Sequence, residues 1–254
     1  MFYGIPQDKR EAFSRALSSI MEIYPKQVYA QDMLICVWKN LAFRSDKNFM
    51  DSFTSVAKTD QEKSLLWRLH VLAWASHIAL RMEGDFVECG VFKGFSSAVL
   101  CKYHGFGNVP REFYLYDTFS GLPEETSTDD ERGAWNPSYK AVDSKDWYKE
   151  VCQTFSPYPN VRVIRGVVPH TFEAESPERI AYLHIDMNSE KAEILALESL
   201  FDRVVPGGVV VLDDYGWQCN ARQTVAESAF MKKRDHMVLE LPTGQGVILK
   251  HDYN

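Results

Sequence analysis

Several features that would assign this chain to a membrane, a nucleic acid or a signal-bearing precursor are missing from its 254 residues. No apolar run approaches the eighteen or so residues of a membrane span, so no membrane partner is expected. Lysine and arginine number 28 against 35 acidic residues, and without a basic excess we expect no nucleic-acid partner. The first residues lack the charged-then-apolar pattern of a signal peptide, which favours a cytoplasmic location.

Cysteine is scarce, and its distribution excludes two further classes of protein. The five cysteines are odd in number and scattered along the chain, at positions 36, 89, 101, 152 and 219. This spacing excludes a zinc ribbon and argues against a disulfide framework, which again favours the reducing cytoplasm. The hydrophobic fraction of 45% and the charged fraction of 25% are those of an ordinary globular protein.

A glycine turn between a strand and a helix is the most informative feature that is present. Residues 86–89 form a short apolar run typical of a buried strand, Gly90 and Gly94 bracket a turn, and a helical pattern opens at Ser96. Glycines allow a ligand to approach the backbone, and a helix N-terminus offers unpaired N–H groups. The turn does not match the G-x-G-x-x-G pattern of dinucleotide sites.

The acidic residue inside this motif narrows the choice of ligand. Glu88 stands two residues before Gly90, where a carboxylate would repel a pyrophosphate and could instead accept from an ammonium group or orient the turn. A ligand that carries both an ammonium and a carboxylate fits this mixture, and S-adenosylmethionine is such a ligand. The pattern resembles motif I of class I methyltransferases. A tight strand–helix turn without a ligand is the alternative.

Strand and helix patterns alternate after this turn, which predicts an α/β fold. The expected parallel strands are residues 86–89, 112–117, 161–165, 181–186 and 209–212, and residues 237–241 and 247–250 form a closing hairpin. We therefore predict a Rossmann-like, doubly wound, mostly parallel sheet with an antiparallel edge. The domain that binds S-adenosylmethionine is expected to cover residues 84–254.

Residues 1–83 are predicted to form a helical N-terminal extension. Helices are expected at residues 7–24 and 30–43, and Thr59 with Glu62 has the spacing of a capping box. These helices carry more apolar surface than one small layer can bury. We therefore expect residues 1–83 to cap the acceptor pocket and to contribute to a homodimer or larger homo-oligomer.

A second strand ends in Asp117, and a long acidic connection follows it. Asp117 lies where α/β nucleotide sites place the acid that binds ribose hydroxyls; a helix cap or loop anchor is the alternative. The connection from residue 118 to residue 147 contains Trp135 and Tyr139. It could close over a substrate as a lid, or it could be a solvated loop.

Acidic residues follow several strands and are expected to share one edge of the sheet. Because the carboxyl ends of parallel strands form the ligand-binding edge, such carboxylates repel one another unless something positive lies among them. After Glu88 and Asp117 are assigned to the cofactor, three acids suit a divalent cation such as Mg²⁺. These three are Asp186, Asp213 and Asp214. Asn188 could add an oxygen ligand or bind the substrate.

Four motifs in order resemble the macrocin O-methyltransferase (TylF-type) family. They are Val87-Glu-Cys-Gly-Val-Phe-Lys-Gly94, Tyr116-Asp-Thr-Phe-Ser-Gly-Leu-Pro-Glu124, His184-Ile-Asp-Met187 and Pro206-Gly-Gly-Val-Val-Val-Leu-Asp-Asp-Tyr-Gly216. The resemblance implies methyl transfer from S-adenosylmethionine to a hydroxyl of a small molecule, typically on a sugar. It also implies that Asp186, Asp213 and Asp214 hold the metal and that Asp186 is the general base.

The predicted site follows from the motifs together. The cofactor residues are Glu88, Gly90, Gly94, Ser96, Asp117, Ser120 and Gly166. Catechol-type methyltransferases place a lysine near the position of Ser189, and no lysine base is evident here. His184 is a rival base, although its place deeper in the strand favours packing. Met187-Asn188-Ser189 departs from the sugar enzymes, so the acceptor stays open. The competing functions are a dinucleotide-dependent oxidoreductase and a non-catalytic cofactor-binding protein.

Overall fold

The computed structural model describes residue 2, residues 4–140 and residues 146–252. Residues up to His70 form one compact unit, and residues from Val71 onward form a second. The boundary expected between residues 83 and 84 stays a prediction, and the division found here falls earlier in the chain. Within the described ranges, no helix is long and apolar enough to cross a membrane.

The first unit contains short helices and one β-hairpin. Its helices are α1 (Arg10–Ile23), α2 (Lys47–Val56) and α3 (Asp60–Ser64), its strands are β1 (Val28–Gln31) and β2 (Leu34–Val37), and α4 (Leu66–Ala79) begins in it. The helix predicted at residues 7–24 is confirmed. The capping box is also confirmed, because the Glu62 N–H donates to Thr59 Oγ1 at 3.1 Å and the Thr59 N–H donates to Glu62 Oε2 at 2.8 Å.

The helix predicted over residues 30–43 is wrong. This segment belongs to the antiparallel β1–β2 hairpin, in which Gln31 pairs with Leu34. Asp32 and Met33 form the two-residue turn with φ values of 48° and 61°, the left-handed pair that matches the twist of a hairpin. The apolar residues at helical spacing do not share a buried face, since Met33 is 44% exposed and Trp38 is 74% exposed. The β-branched residues on both sides of the turn outweigh that spacing.

The second unit is built on a seven-stranded sheet, and it confirms the predicted fold class. Its strands are β3 (Asp85–Cys89), β4 (Phe113–Asp117), β5 (Val161–Arg165), β6 (Ile180–Ile185), β7 (Val204–Leu212), β8 (Leu239–Glu240) and β9 (Gly246–Leu249). Their order is β5-β4-β3-β6-β7-β9-β8, with β3 to β7 parallel and the last two strands antiparallel. All residues of β6 are buried, as expected for a central parallel strand with helices on both faces.

Helices connect the strands of this sheet. They are α5 (Phe95–His104), α6 (Asp129–Lys140), α7 (Trp147–Phe155), α8 (Thr171–Ala174), α9 (Glu190–Leu200) and α10 (Ala221–Lys233). The chain leaves β3 to one side of the sheet through β4 and returns on its other side at β6. This reversal of strand order at β3 creates the crevice in which α/β proteins bind ligands.

The connection from residue 118 to residue 147 contains a helix rather than an extended loop alone. Helix α6 begins after a second capping box, in which the Thr128 N–H donates to Glu131 Oε2 at 2.7 Å and the Glu131 N–H donates to Thr128 Oγ1 at 3.3 Å. Residues 141–145 of the connection lie outside the described residues. The function of this connection as a lid stays a prediction.

Candidate active site

Two acidic residues meet where neighbouring strands end. The hydrogen-bond ladder of the sheet continues one residue past β6 and β7, because the Asp186 N–H donates to the Cys89 carbonyl at 2.8 Å and the Asp213 N–H donates to the Ile185 carbonyl at 2.9 Å. Asp186 and Asp213 are therefore held at the carboxyl edge of the central strands. Asp186 is half-buried, and Asp213 is buried.

Gly90 allows the glycine turn after β3 to pack directly against the backbone at the end of β6. Its φ value is +92°, and a Cβ atom at this position would lie 1.8 Å from the Asp186 carbonyl oxygen. No side chain fits such a distance, so position 90 must be glycine while the backbone of Asp186 stays where it is. The first glycine of the motif thus brings the turn after β3 into contact with the end of β6.

Asp117 ties the glycine turn to the end of β4. Its Oδ2 accepts from the N–H groups of Val91 at 2.8 Å and Phe92 at 2.7 Å, and its Oδ1 accepts from the Phe119 N–H at 2.6 Å. Burial raises the pKa of Asp117, and the three N–H donors oppose that rise. A carboxylate offers about four acceptor positions, so capacity remains for one more donor.

Glu88 lies inside the protein rather than at its surface. It is 2% exposed. Its carboxylate accepts a hydrogen bond from the Ser97 hydroxyl, and its Oε1 lies 2.9 Å from His184 Nδ1. The other ring nitrogen of His184, Nε2, is 3.3 Å from Asp213 Oδ1. One histidine therefore joins a carboxylate on β3 to a carboxylate at the end of β7.

This series of buried polar groups continues to the antiparallel edge of the sheet. Gln245 Nε2 donates to Asp213 Oδ1 at 2.8 Å, and Thr243 Oγ1 donates to Gln245 Oε1 at 3.0 Å. We call Ser97, Glu88, His184, Asp213, Gln245 and Thr243 the polar row. Each of its members is buried, so these hydrogen bonds form at low dielectric, where they are strong and costly to leave unmade.

His184 is the cationic centre of the polar row. Burial by itself lowers the pKa of His184, but the hydrogen bonds and charges of Asp213 and Glu88 outweigh burial and raise it to about 10. The imidazole is therefore protonated at neutral pH, with one carboxylate on each side. His184 is thus an ionic partner of both acids rather than a simple packing residue.

The donors at this edge fit a hard divalent cation. One atom of each of His184, Asp186 and Asp213 lies within 4.8 Å of the other two, but a protonated ring has no free lone pair, so the two carboxylates are the donors to a cation. Both nitrogens of His184 already face carboxylates, which leaves oxygen as the available donor type. Asn188 Oδ1 is buried and has no hydrogen-bond partner, so it is a free acceptor atom beside these groups. Asp214 is half-buried and is not in this group among the described residues, so its role stays a prediction.

A cleft opens beside these groups. Helix α6 contributes Tyr139 to its wall, beside Asp117 and Asp186. Burial raises the pKa of Tyr139 well above its usual value, and the charges of Asp117 and Asp186 raise it further. Tyr139 therefore stays a neutral phenol in the wall of the cleft.

The predicted site residues separate into those that line the cleft and those that lie behind it. Four line the cleft, namely Gly90, Asp117, Gly166 and Asp186. Gly94 caps α5 in the left-handed conformation at φ 75°, and Ser96 is half-buried in the first turn of that helix. Glu88 is buried and bonded to protein groups, and Ser120 is exposed. The cofactor roles of these residues stay predictions.

Three contributors to the site were not identified from the sequence. Ser97 stands next to the predicted Ser96, and only the helix orientation shows which of the two faces Glu88. Gln245 lies in a turn that is distant in sequence and reaches Asp213 because β9 pairs with β7. Glu193 of α9 accepts from the N–H groups of Met187 and Asn188, and no local motif indicates that contact.

Comparison with known proteins adds independent information. Residues 7–239 match the family model described as macrocin-O-methyltransferase (TylF). A mycinamicin III 3''-O-methyltransferase of Micromonospora griseorubida is 30% identical over 161 residues, which cover 58% of this chain and 62% of that protein. An 8-demethyl-8-(2,3-dimethoxy-alpha-L-rhamnosyl)-tetracenomycin-C 4'-O-methyltransferase of Streptomyces olivaceus is 29% identical over 141 residues, which cover 53% and 54% of the two chains. The chain thus spans less than two thirds of the length of either relative.

Two solved structures support the fold. The O-methyltransferase NovP aligns with a TM-score of 0.61 at 20% identity, over 74% of this chain and 81% of its own. The apo structure of CalS11, a TDP-rhamnose 3'-O-methyltransferase in calicheamicin biosynthesis, aligns with a TM-score of 0.55 at 16% identity, over 99% and 98% of the two chains. The architecture expected from the alternation of strands and helices is therefore shared with known proteins.

Proposed function

This chain belongs to the macrocin-O-methyltransferase (TylF) family, and from that premise we propose that it transfers a methyl group from S-adenosylmethionine to a hydroxyl of a small molecule. The observation that carries the proposal is the cleft at the strand ends, whose walls include both Asp117 and Asp186. One acid suits the ribose of the donor and the other suits the reacting hydroxyl. The dinucleotide-dependent oxidoreductase and the non-catalytic binding protein are not favoured by any of these observations.

The donor binds, in this proposal, over the glycine turn. S-adenosylmethionine would supply a methyl group that a positively charged sulfur activates. We assign its binding to Glu88, Gly90, Gly94, Ser96, Asp117, Ser120 and Gly166. Gly90 supports this assignment because its missing side chain lets the glycine turn contact the backbone of Asp186 at the wall of the cleft. Asp117 supports it because a carboxylate at the end of the strand next to β3 can accept from ribose hydroxyls.

We propose that the acceptor is a hydroxyl on a sugar unit of a natural product or surface glycan. The names of both curated relatives describe O-methylation of named natural products, and one of these names specifies a rhamnosyl group. The departure at Met187-Asn188-Ser189 concerns the cleft wall next to Asp186, since Met187 lines the cleft. The identity of the sugar is therefore a question for direct assay.

Asp186 carries two roles in this proposal. With Asp213 and Asp214 it would hold a divalent cation, Mg²⁺ first among candidates, and such a cation when bound lowers the pKa of a hydroxyl beside it. Asp186 is also the general base, because it is half-buried in the cleft wall and accepts the proton that the acceptor hydroxyl loses. Methyl transfer from a sulfonium needs no covalent intermediate, so the buried Cys89 has no catalytic part.

Calorimetry tests the donor site directly. S-adenosylmethionine should bind the full chain, and NAD should not. Asp117→Ala should weaken the binding by about 1–3 kcal/mol, the range for a hydrogen bond to a charged group. Asp202→Ala, which changes an exposed acid of the second unit, is the matched control and should bind as the wild type does. Equal affinity of the Asp117 variant and the control would remove Asp117 from the donor site.

Single-turnover methyl transfer tests the base and the cation. With rhamnosylated small molecules as acceptors and saturating donor, Asp186→Asn should lower the rate at least about a hundredfold, the lower end for general acid–base catalysis. EDTA should abolish transfer, and magnesium should restore it. Full activity in chelator would refute the cation, and full activity of Asp186→Asn would refute the assigned base.

A further inference from the structure

The backbone just after β6 turns sharply away from the sheet. Asn188 has a φ value of 54°, in the left-handed region that asparagine adopts more readily than most residues other than glycine. The residue lies two positions beyond Asp186, where the chain turns from β6 toward α9. Such a conformation persists when surrounding contacts enforce it, and it often marks a functional site.

Glu193 enforces this conformation. Its Oε1 accepts from the Met187 N–H at 3.0 Å and from the Asn188 N–H at 3.1 Å. Glu193 is 2% exposed in the first full turn of α9, so its two accepted hydrogen bonds form away from water. One buried carboxylate therefore clamps two consecutive peptide groups and fixes the direction in which the Asn188 side chain leaves the backbone.

The clamp directs the Asn188 side chain to Asp186. Asn188 Nδ2 is 3.4 Å from Asp186 Oδ1, which is long for a hydrogen bond. Asn188 Oδ1 is buried and has no hydrogen-bond partner. A buried amide oxygen without a donor costs free energy, and an amide oxygen is a ligand type that hard cations accept beside carboxylates.

We propose that Asn188 Oδ1 is a further oxygen ligand of the cation site, next to Asp186 and Asp213, and that Glu193 is the residue that positions it. The proposal rests on the proposed function for the existence of the cation. It adds a neutral ligand that the three-aspartate set does not contain, and it gives the left-handed backbone at Asn188 a purpose. Glu193 acts through Asn188 and does not itself contact the cation.

Binding of Mn²⁺ to the full chain without other ligands, followed by electron paramagnetic resonance, tests the proposal without any need for turnover. Asn188→Gly keeps a residue that tolerates positive φ and removes only the amide, and it should weaken Mn²⁺ binding about tenfold or more, because ligand number sets the affinity of such sites. Asn188→Asp should bind Mn²⁺ more tightly than the wild type, since a carboxylate oxygen replaces the amide oxygen. Asn108→Gly, which alters an asparagine near the end of α5, is the control and should bind as the wild type does.

The positioning role of Glu193 has its own test. Glu193→Ala should weaken Mn²⁺ binding about 10–100-fold, as removal of a group that orients a ligand does. Glu193→Gln should restore most of the affinity, because its amide oxygen can accept the same two N–H groups. In the Asn188→Gly background, Glu193→Gln and Glu193→Ala should bind equally, because the ligand that Glu193 positions is gone.

The possible failures are distinguishable. If Asp186→Asn abolishes Mn²⁺ binding while Asn188→Gly binds as the wild type does, the cation site stands and the proposal for Asn188 is overturned. If the wild type binds no Mn²⁺, both the cation site and this proposal are overturned, while donor binding is judged separately by calorimetry. If Glu193→Ala weakens binding equally in both backgrounds, Glu193 does not act through Asn188.

Discussion

His184 is a side chain whose surroundings determine its chemistry. It is 1% exposed between Glu88 and Asp213, so the two carboxylates it separates are themselves removed from water. Breaking a buried ionic group by removing one partner is far more costly than replacing the whole group, because the remaining charges lose both water and partner. The stability of the polar row therefore depends on the positive charge of His184.

Replacement of the protonated His184 by a neutral residue should strongly destabilise the fold. We expect His184→Asn to lower the free energy of unfolding by about 3–5 kcal/mol, because Glu88 and Asp213 would face each other without a positive charge. Urea unfolding followed by circular dichroism measures this change. His170→Asn replaces an exposed histidine of the same unit and should change stability by less than about 0.5 kcal/mol. Similar stabilities for the two variants would mean that the polar row contributes nothing to the fold.

A second histidine should make stability depend on pH. Burial lowers the pKa of His104 to about 4, with a further contribution from His77, and His104 Nε2 lies 2.8 Å from the Ser76 hydroxyl. In the unfolded state His104 becomes protonated near pH 6.5, whereas in the folded state it becomes protonated only near pH 4. The free energy of unfolding is therefore highest above pH 6.5, where His104 is neutral in both states, and decreases as the pH falls toward 4.

The pH dependence of His104 can be isolated by comparison with one variant. Relative to His104→Gln, the wild type should lose about 2 kcal/mol of unfolding free energy between pH 6.5 and pH 4. This value is smaller than the free energy that corresponds to the whole pKa shift, because the ring is only half-buried and solvent screens its charge. Urea unfolding of both proteins across this pH range provides the difference. A difference that does not vary with pH would contradict the assignment of His104 as a buried neutral base.

At the scale of elements, the β1–β2 hairpin shows how a turn is stabilised by a distant helix. Asp32 stands at the first position of the turn, and its Oδ2 is 3.2 Å from Arg68 Nε on α4. The two side chains are 8% and 11% exposed, so this ion pair is largely removed from water. The pair joins the tip of the hairpin to the helix, which explains why an acid occupies a left-handed turn position.

Loss of this pair should destabilise the first unit. Asp32→Asn keeps a residue that tolerates the turn and removes the negative charge that faces Arg68 in this buried pair, so we expect a loss of about 3 kcal/mol, the lower end for a broken buried pair. Asp60→Asn alters the exposed pair with Lys63, where the effect should stay below about 1 kcal/mol. Thermal unfolding at constant pH compares them, and equal melting temperatures would show that the Asp32–Arg68 pair is energetically neutral.

At the scale of the whole molecule, α1 is unusual because none of its residues is buried within the part of the chain that the structure describes. Phe13, Leu17 and Ile20 nevertheless recur at helical spacing on one side of it and are only half-buried. An amphipathic helix obtains most of its stability from packing of its apolar side. The homodimer expected from the sequence would supply that packing.

Sedimentation velocity tests the dimer. The full chain should sediment as a dimer or larger oligomer at micromolar concentration, and a Leu17→Glu and Ile20→Glu double variant should shift it to the monomer. Ser14→Glu and Ser18→Glu place the same charges on exposed positions of α1 and should leave the oligomer intact. A wild type that remains monomeric would refute the dimer, and equal behaviour of the two double variants would remove this side of α1 from the interface.

Local patterns in the sequence were enough to predict the strands of the seven-stranded sheet, the glycine turn and the acids that follow several of these strands. Residues 86–89 and Asp186 could be placed in this way because strand periodicity and glycine turns depend on neighbouring residues in the chain. The same approach failed at residues 30–43, where five apolar residues happened to have helical spacing. There the left-handed turn at Asp32 and Met33, and a contact with a helix distant in sequence, decided the structure.

The sequence by itself therefore determined that this protein has a doubly wound sheet with a glycine turn and several strand-end acids. Only the tertiary structure decided which of these groups meet. Asp186 and Asp213 are neighbours because β6 lies beside β7, while Asp117 lies on the other side of β3. The lateral order of strands depends on long-range pairing, and no local pattern contains it. The contacts of His184 and Glu193 follow from that order, which is why they emerged only from the fold.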